Sequence, residues 1–586
     1  MKRLKIYLVF FFLFTFANLV YAEDIPKVDD LNKNFPKLPQ KPKELPSDEF
    51  QLEREKKTEQ ATGEQLLKIL VKDYIFEGNT KYLDSELKDL IKETFNKELD
   101  YYQLIEVTNI ITNYYRLNGF LATTYLPPQD IKKGIVKIKI TEAKIGKIYF
   151  DNSIKEKSNE ENLNLPKTQI EKRILHKIDI SGILNILQLD KNVRNLNKIP
   201  GISVLAQLEE GDNFGETNIK ITAVNTNTVS GNTLVDNNGS RSSGYHKMTN
   251  SLNFDGLLNF GERVTLTNVL SGDHLKEDNH EESNYYAISS QIPIGYSGML
   301  GTLRISKMEY KLSAPFDSTK PSGYSSEYNL TLDQALIEST NFNFNTSLSL
   351  SNNKYVNDLG TGNNSDKDIL KSALTFGFDS TDNKFGGGVM YGSFGFNIAK
   401  VDLTDNSDNF DNDQTGADTN GRNLKATFNL NRLQRLTEKT NLLVKFNGQL
   451  AADNLDGAEQ LSLGGPNALK SYPSNEAAGD SGFVSGVELK RTFLKDIESA
   501  VFYDYGKIKL HKKLWNNWNS TNTGLKNNYH LQGYGISLSK PLLNSFNINA
   551  SYSRKKSHNS GRDVSGKDVD GLMWNNRKLI SINGQF

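Results

Sequence analysis

From Val229 to Phe586 the sequence is a succession of segments in which apolar and polar residues alternate, and no helical period interrupts them. "NLKATFNL" sets Leu424, Ala426, Phe428 and Leu430 on one face and Asn423, Lys425, Thr427 and Asn429 on the other. "NLLVKFNGQL" repeats the pattern through Leu442, Val444, Phe446 and Leu450, "TNFNFNTSLSL" through Phe342, Phe344, Leu348 and Leu350, and "FNINASYS" through Phe546, Ile548, Ala550 and Tyr552. Successive side chains of a strand point to opposite faces, so each segment reads as a strand with one apolar and one polar side. Roughly sixteen such segments, separated by Asn/Asp/Gly-rich connections, form the pattern of a transmembrane barrel.

A soluble sandwich or β-helix also alternates, and three features weigh against either. The polar face is mostly Asn, Ser, Thr and Lys, which suits a wet lumen, and closing the sheet removes edges that could not survive in lipid. With 25 Tyr and 30 Phe against 3 Trp, the aromatic girdles are expected to be built largely of Tyr. Finally, "RKLISINGQF" turns Ile580, Ile582, Gly584 and Phe586 to one side. A strand ending on an aromatic carboxylate resembles the signal read by the outer-membrane barrel assembly machinery.

The beginning of the chain sets the compartment. "MKRLKIYLVFFFLFTFANLVYA" places Lys2, Arg3 and Lys5 before an apolar run and closes on Val20-Tyr21-Ala22, as a secretory signal peptide over 1–22 does. The run falls short of the roughly 20 residues a membrane anchor needs. Residues 23–66 hold five prolines (Pro26, Pro36, Pro39, Pro42, Pro46), which favours an extended linker. One exposed helix capped by Ser47 is also compatible with "SDEFQLEREKKTEQAT".

Composition excludes several functions. The absence of Cys removes disulfide frameworks and thiolate metal sites, and 70 basic against 70 acidic residues leave no basic footprint for nucleic acid. The 7 His are scattered without ligand spacing, and neither a phosphate-binding loop nor a nucleophile elbow is present. Asp504, Glu488 and Lys470 could be mistaken for an acid–base cluster, yet no nucleophile or metal ligand adjoins them. No enzyme, cofactor or metal centre is expected.

Between leader and barrel lie two similar α+β units, 67–143 and 144–226. The first runs strand "ILVKDYIFEG", helix "YLDSELKDLI", a second helix with Leu104, Val107, Ile111, Tyr114 and Leu117 on one face, then strands "FLATTYL" and "IVKIKI". Gly119 stands where a left-handed cap ends that helix. The second repeats the order with "KIGKIYF", "TQIEKRILH", "ILNILQLDKNVRNL", "ISVLAQL" and "TNIKITAV". Small mixed sheets of this kind leave edge strands open to peptide capture by strand addition, or they serve simply as spacers.

One stretch of the barrel region does not alternate. "LSLGGPNALKSYPSNEAAGDSG" (Leu461 to Gly482) is small, Gly-rich and Pro-punctuated, and loops of that length are usually functional. Two mixed units before a barrel, followed by "LGGPNALKSYPSNEAAGDSGFVSGVEL" and "AVFYDYGKI", resemble the TpsB transporters of two-partner secretion, including haemolysin-activator and adhesin-secretion proteins. "TLVDNNGSRSSG", "YRLNGFLATTYLPPQDIKKGIVKIKI" and "NLNKIPGISVLAQLEEGDNFGET" are similar to that family as well.

The resemblance implies an all-β transmembrane barrel over 227–586 of about sixteen antiparallel strands, two periplasmic POTRA domains before it, and a loop, 453–481, folded back into the lumen. It implies a loop tip of Leu469-Lys470-Ser471-Tyr472 whose cation meets the acid of a Phe502-x-Asp504-x-Gly506 strand motif, with Glu488 as a second acceptor. Lys470 and Ser471 depart from the family's Arg and Gly or Ala; Lys keeps the charge but loses the planar fork. The implied function is an ATP-independent pore that takes an unfolded TpsA-like exoprotein, of adhesin or haemolysin type, from periplasm to cell surface. The implied partners are that exoprotein, outer-membrane lipid and the assembly machinery, and the barrel acts as a monomer. A BamA-like insertase shares loop and barrel but generally carries more POTRA domains, and a substrate-specific porin has no need of the two mixed units. If residues 23–66 carry a plug helix, as the family suggests, their deletion is expected to raise single-channel conductance in planar bilayers without altering heat-modifiable migration. Unchanged conductance would remove the plug.

Overall fold

The computed structural model describes residues 68–131, 133–151, 163–239, 241–272, 282–312, 319–360, 365–493, 496–542 and 545–586. The signal peptide expected at 1–22 and the stretch 23–66 with its plug helix lie outside the described residues.

Sixteen antiparallel strands, β9 (Val229–Asp236) through β24 (Asn576–Gln585), each pair with their neighbours in sequence, and β24 pairs with β9 to close the barrel. Closure gives every edge a partner, which is what allows a sheet to sit in lipid. The alternation read from sequence sorts the two faces. Leu424 and Leu430 point outward and are exposed, as are Phe394, Phe396, Ile398, Ile536 and Leu538, while Asn423 and Asn431 are buried inside. Connections are short at one end, such as 295–298, 339–341 and 438–439, and long at the other. An outer-membrane barrel has this asymmetry. Across five neighbouring strands an outward ladder of rings runs Phe428, Phe446, Phe483, Tyr505 and His530, with centroids 5.4–5.9 Å apart. Three of its members are Phe, so this part of the aromatic surface is less Tyr-rich than the composition suggested.

One long loop of the barrel carries a helix, Ser407–Thr415, where only strands were expected. Asn406 accepts from the Asn409 N–H and caps it. Phe410, packed against the cluster of Val401 and Leu403, is its one apolar residue, so no apolar period announces it.

In the first mixed unit, β2 (Asp73–Glu77) lies parallel to β5 (Ile135–Glu142), which pairs antiparallel with β4 (Ala122–Tyr125). Helices Asp84–Leu90 and Tyr101–Leu117 cover the sheet and bury Leu87, Leu104, Val107, Ile111 and Tyr115 against Tyr74, Val136, Ile138 and Ile140. Asp100 and Gln103 exchange side-chain-to-backbone bonds of 2.9 Å at the start of the longer helix, satisfying donors that the first turn leaves free. The short pairing of β1 (Ile69–Val71) with β3 (Lys97–Leu99) was not foreseen; three-residue strands carry too little period to detect. The second unit repeats the topology with β6 (Lys144–Phe150), β8 (Glu216–Asn225) and β7 (Ile202–Glu210), under helices Lys167–Ile174 and Ile186–Leu196. Each sheet keeps two edge strands, β2 and β4 in the first, β6 and β7 in the second.

Backbone bonds join the units into a chain of contacts. Ala143 N–H donates to Leu121 at 2.9 Å, Leu184 N–H to Ala143 at 2.9 Å, and Ile186 N–H to Gly119 at 2.8 Å. The second unit in turn rests on the short turns of the barrel. Arg173 lies 5.3 Å over the Tyr296 ring, Lys198 pairs with Glu338, and Asn164 donates to the carbonyls of Gly201 at 2.9 Å and Asp255 at 3.5 Å.

Glu142, buried at the joint, accepts from the Thr80 hydroxyl at 2.5 Å, Tyr115 Oη at 2.7 Å, and the Thr80 and Lys81 N–H groups at 2.9 Å each. Burial pushes its pKa up, but these hydrogen bonds outweigh burial and hold it below the ordinary glutamate range. A depressed carboxylate contributes stability that is complete above the unfolded value of about 4.3 and is lost as pH falls through the folded value. Glu142→Ala is expected to speed amide exchange between Tyr74 and Glu142 in the full chain by roughly a hundredfold, about 3 kcal/mol of local opening, because buried donors lose their acceptor. That excess over wild type should shrink below about pH 4, while barrel amides keep their rates.

Candidate functional site

The lumen is occupied by the chain itself. After β19 (Thr440–Ala451), residues 452–480 fold back inside before β20 (Ser481–Phe493) begins. The two limbs are tied by reciprocal bonds between Leu461 and Gly479, at 2.9 and 2.8 Å, and by Leu463 and Gly464 N–H donating to Glu476 at 3.0 and 3.1 Å. At the base, Asp456 pairs with Lys367 at 2.8 Å, and Glu459 with Lys371 at 2.8 Å and Lys425 at 2.7 Å. These lysines stand on β16 (Ser365–Asp382) and β18 (Gly421–Thr437). The base therefore holds one sector of the wall.

The tip holds another. Leu463, Leu469 and Tyr472 are fully buried against Val484, Ile508, Tyr529 and Leu531, an apolar island on an otherwise polar inner face. This island lies on β20, β21 (Ile497–Lys509) and β22 (Asn528–Leu542). The wall is smooth beneath the tip. A Cβ on Gly506 would lie 2.8 Å from Leu469 Cδ1, and one on Gly533 would overlap the Ser471 hydroxyl, so only glycine admits the loop there.

Lys470 sits among the charges of this wall. Its Nζ lies 2.7 Å from Glu488 Oε1, 3.7 Å from Asp504 Oδ1 and 4.1 Å from the centre of the Phe502 ring. Its N–H donates to Asp504 Oδ2 at 3.2 Å, and its carbonyl accepts from Ser553 Oγ at 2.9 Å on β23 (Phe546–Lys555). The ranking from sequence put Asp504 first for the ammonium, and the geometry puts Glu488 first. Asp504 is short and opposes Gly486, so it meets the loop backbone, whereas the longer Glu488 reaches the ammonium. Lys445 also donates to Glu488, at 3.0 Å. Two ammonium groups thus face two carboxylates that are 6 % and 3 % exposed. Removing one member of such a buried set strands the rest, which costs more than the pair contributes.

The structure therefore brings together Leu469, Lys470, Ser471, Tyr472, Phe502, Asp504, Gly506 and Glu488. Sequence reasoning missed Lys445, Gly533 and Ser553. All three lie on inward positions, so alternation gives their direction but not their neighbours. Ile580 and Ile582 lie on β24, and Phe586 exchanges backbone bonds with Gly231 of β9, at 2.9 and 3.1 Å, where the barrel closes.

The family model for haemolysin secretion/activation proteins of the ShlB/FhaC/HecB type matches residues 215–538. The chain belongs to this family. A second model, the ShlB-type POTRA domain, matches residues 69–143, the first mixed unit. The heme/hemopexin transporter protein HuxB of Haemophilus influenzae (strain 86-028NP) is 26% identical over 93% of this chain and 94% of its own length. The outer membrane transporter CdiB of Escherichia coli O6:K15:H31 (strain 536 / UPEC) is 21% identical over 70% of this chain and 66% of its own. The solved structure of CdiB from Escherichia coli superposes with a TM-score of 0.71 at 17% identity, covering 91% of this chain and 93% of that one. As a ShlB/FhaC/HecB-family protein, the chain is an outer-membrane two-partner secretion pore with its POTRA region in the periplasm, and not an enzyme. In this transporter Gly533→Val is expected to unseat the loop tip without unfolding the barrel. The check is limited trypsin digestion in detergent, which should cut after Lys470 in the variant and spare it in the wild type.

Proposed function

We propose that 452–480 is the gate of the pore and that the contacts of Lys470 are its lock. The observation that carries this is the double grip, base on β16 and β18 and tip on β20 to β23, which lays the loop across the lumen. The pair is buried, so desolvation offsets much of its attraction, and its value is register: charge and ring contacts fix the tip. The cargo is a TpsA-like exoprotein that arrives unfolded, pairs with an open edge of the α+β units and crosses without ATP. Folding outside then biases movement outward.

The second unit repeats the topology of the first, and on that ground we assign it as a second POTRA domain, giving POTRA 1 over 67–143, POTRA 2 over 144–226 and the barrel over 227–586. Ile580, Ile582 and Phe586 are assigned to recognition by the barrel assembly machinery. Exposed Phe and Leu on the outer face meet lipid, and the barrel works as a monomer. The two-unit periplasmic region favours secretion over a BamA-like insertase.

Two measurements test this. Lys470→Glu and Glu488→Lys are each expected to cut surface delivery of the exoprotein several-fold, and the double swap to recover part of it; a double no better than the worse single would refute the lock. A fragment spanning 68–226 is expected to bind the N-terminal region of the exoprotein with micromolar Kd by calorimetry, as backbone pairing allows. Absence of binding between two folded pieces would refute capture.

A further inference from the structure

The lumenal loop is also held from a direction that its tip contacts do not explain. Glu476, on the returning limb, is 2 % exposed, and its carboxylate faces the outer loop 556–575 between β23 and β24. Asn559 Nδ2 donates to Glu476 Oε1 at 2.6 Å and to Asp568 Oδ1 at 2.9 Å, and the Val569 N–H donates to Glu476 Oε2 at 2.9 Å. Lys555 pairs with Asp568 and lies 5.0 Å over the Tyr472 ring, while Arg562 Nε stands 3.8 Å from Asp568. Asn559, Asp568 and Lys555 are all buried. Glu476 is thus bonded into the lumenal loop through its carbonyl and into the outer loop through its side chain.

The chemistry of this joint makes it all-or-none. Among the described residues no cation pairs with the Glu476 carboxyl group, so hydrogen bonds from Asn559 and Val569 are what satisfy this buried acceptor. A buried acceptor that loses its donors is far costlier than one that never had them. Moving either loop alone would leave the carboxylate buried without donors.

From this we infer that Glu476 is a positioning residue of the gate: it couples the seat of 452–480 to the outer loop 556–575, so that the lumen opens only when the outer loop lifts. The inference rests on the reading of 452–480 as the gate. Because the chain has no Cys, a single Asn467→Cys thiol on an exposed loop position can carry a spin label in the full-length protein in phospholipid vesicles.

Asn559→Ala, a change confined to the outer loop, is expected to raise the mobile population of that label roughly tenfold, the scale of one buried acceptor left without its donor. Glu476→Ala should do the same, and Glu476→Gln, which keeps one acceptor, should restore part of the immobile signal. In the unsubstituted chain the amides of Leu463 and Val569 should exchange with a common opening rate, a measurement that needs no variant. A label unmoved by Asn559→Ala in a barrel of normal heat-modifiable migration, or a Val569 amide that opens independently of Leu463, overturns the coupling. A freed label with unchanged channel openings upholds the coupling and overturns the gate.

Discussion

Closure of the β9–β24 sheet is the constraint on which everything else depends. In lipid each backbone N–H and C=O must find its partner within the protein, and the pairing of β24 with β9 supplies the last set. Once the sheet is closed, its polar face has nowhere to point but inward, and an aqueous channel follows. Here that channel is not bare, because 452–480 occupies it.

The way that loop is held follows from the medium inside the barrel. Apolar burial of Leu463, Leu469 and Tyr472 against the wall supplies a non-directional grip. Charges then set the register, with carboxylates of the base on lysines of β16 and β18, and Lys470 on acids of β20 and β21. Lys in place of a guanidinium gives a compact, strongly hydrated ammonium that cannot clasp a carboxylate at two points. Here the shortfall is made up by distribution: Glu488 takes the ammonium, Asp504 the backbone N–H and Ser553 the carbonyl, while the face of the Phe502 ring lies against the cation.

At the opposite end, the periplasmic units are not free tethers. Backbone bonds at Gly119, Leu121, Ala143 and Leu184 fuse the two, and Arg173, Lys198 and Asn164 set the second against the turns of the first barrel strands. An edge strand such as β7 is thereby held at a fixed place relative to the barrel.

Much of this was legible in the sequence, and for a definite reason. Period-2 alternation is a local property, so Leu424 and Asn423 announce outward and inward faces without knowledge of any neighbour, and the mixed units announce themselves by apolar spacing and Gly119. The loop tip and its acids were legible only through resemblance, because nothing local ties Lys470 to residues 18 and 34 positions away. What the tertiary structure alone decided are the contacts set by register and closure: that Glu488 rather than Asp504 takes the ammonium, that Lys445 shares it, that Gly533 clears space for Ser471, and that Glu476 meets Asn559 across 83 residues. Alternation fixes which way a side chain points; which side chains meet depends on strand stagger and barrel curvature, and those are properties of the closed sheet rather than of any segment in it.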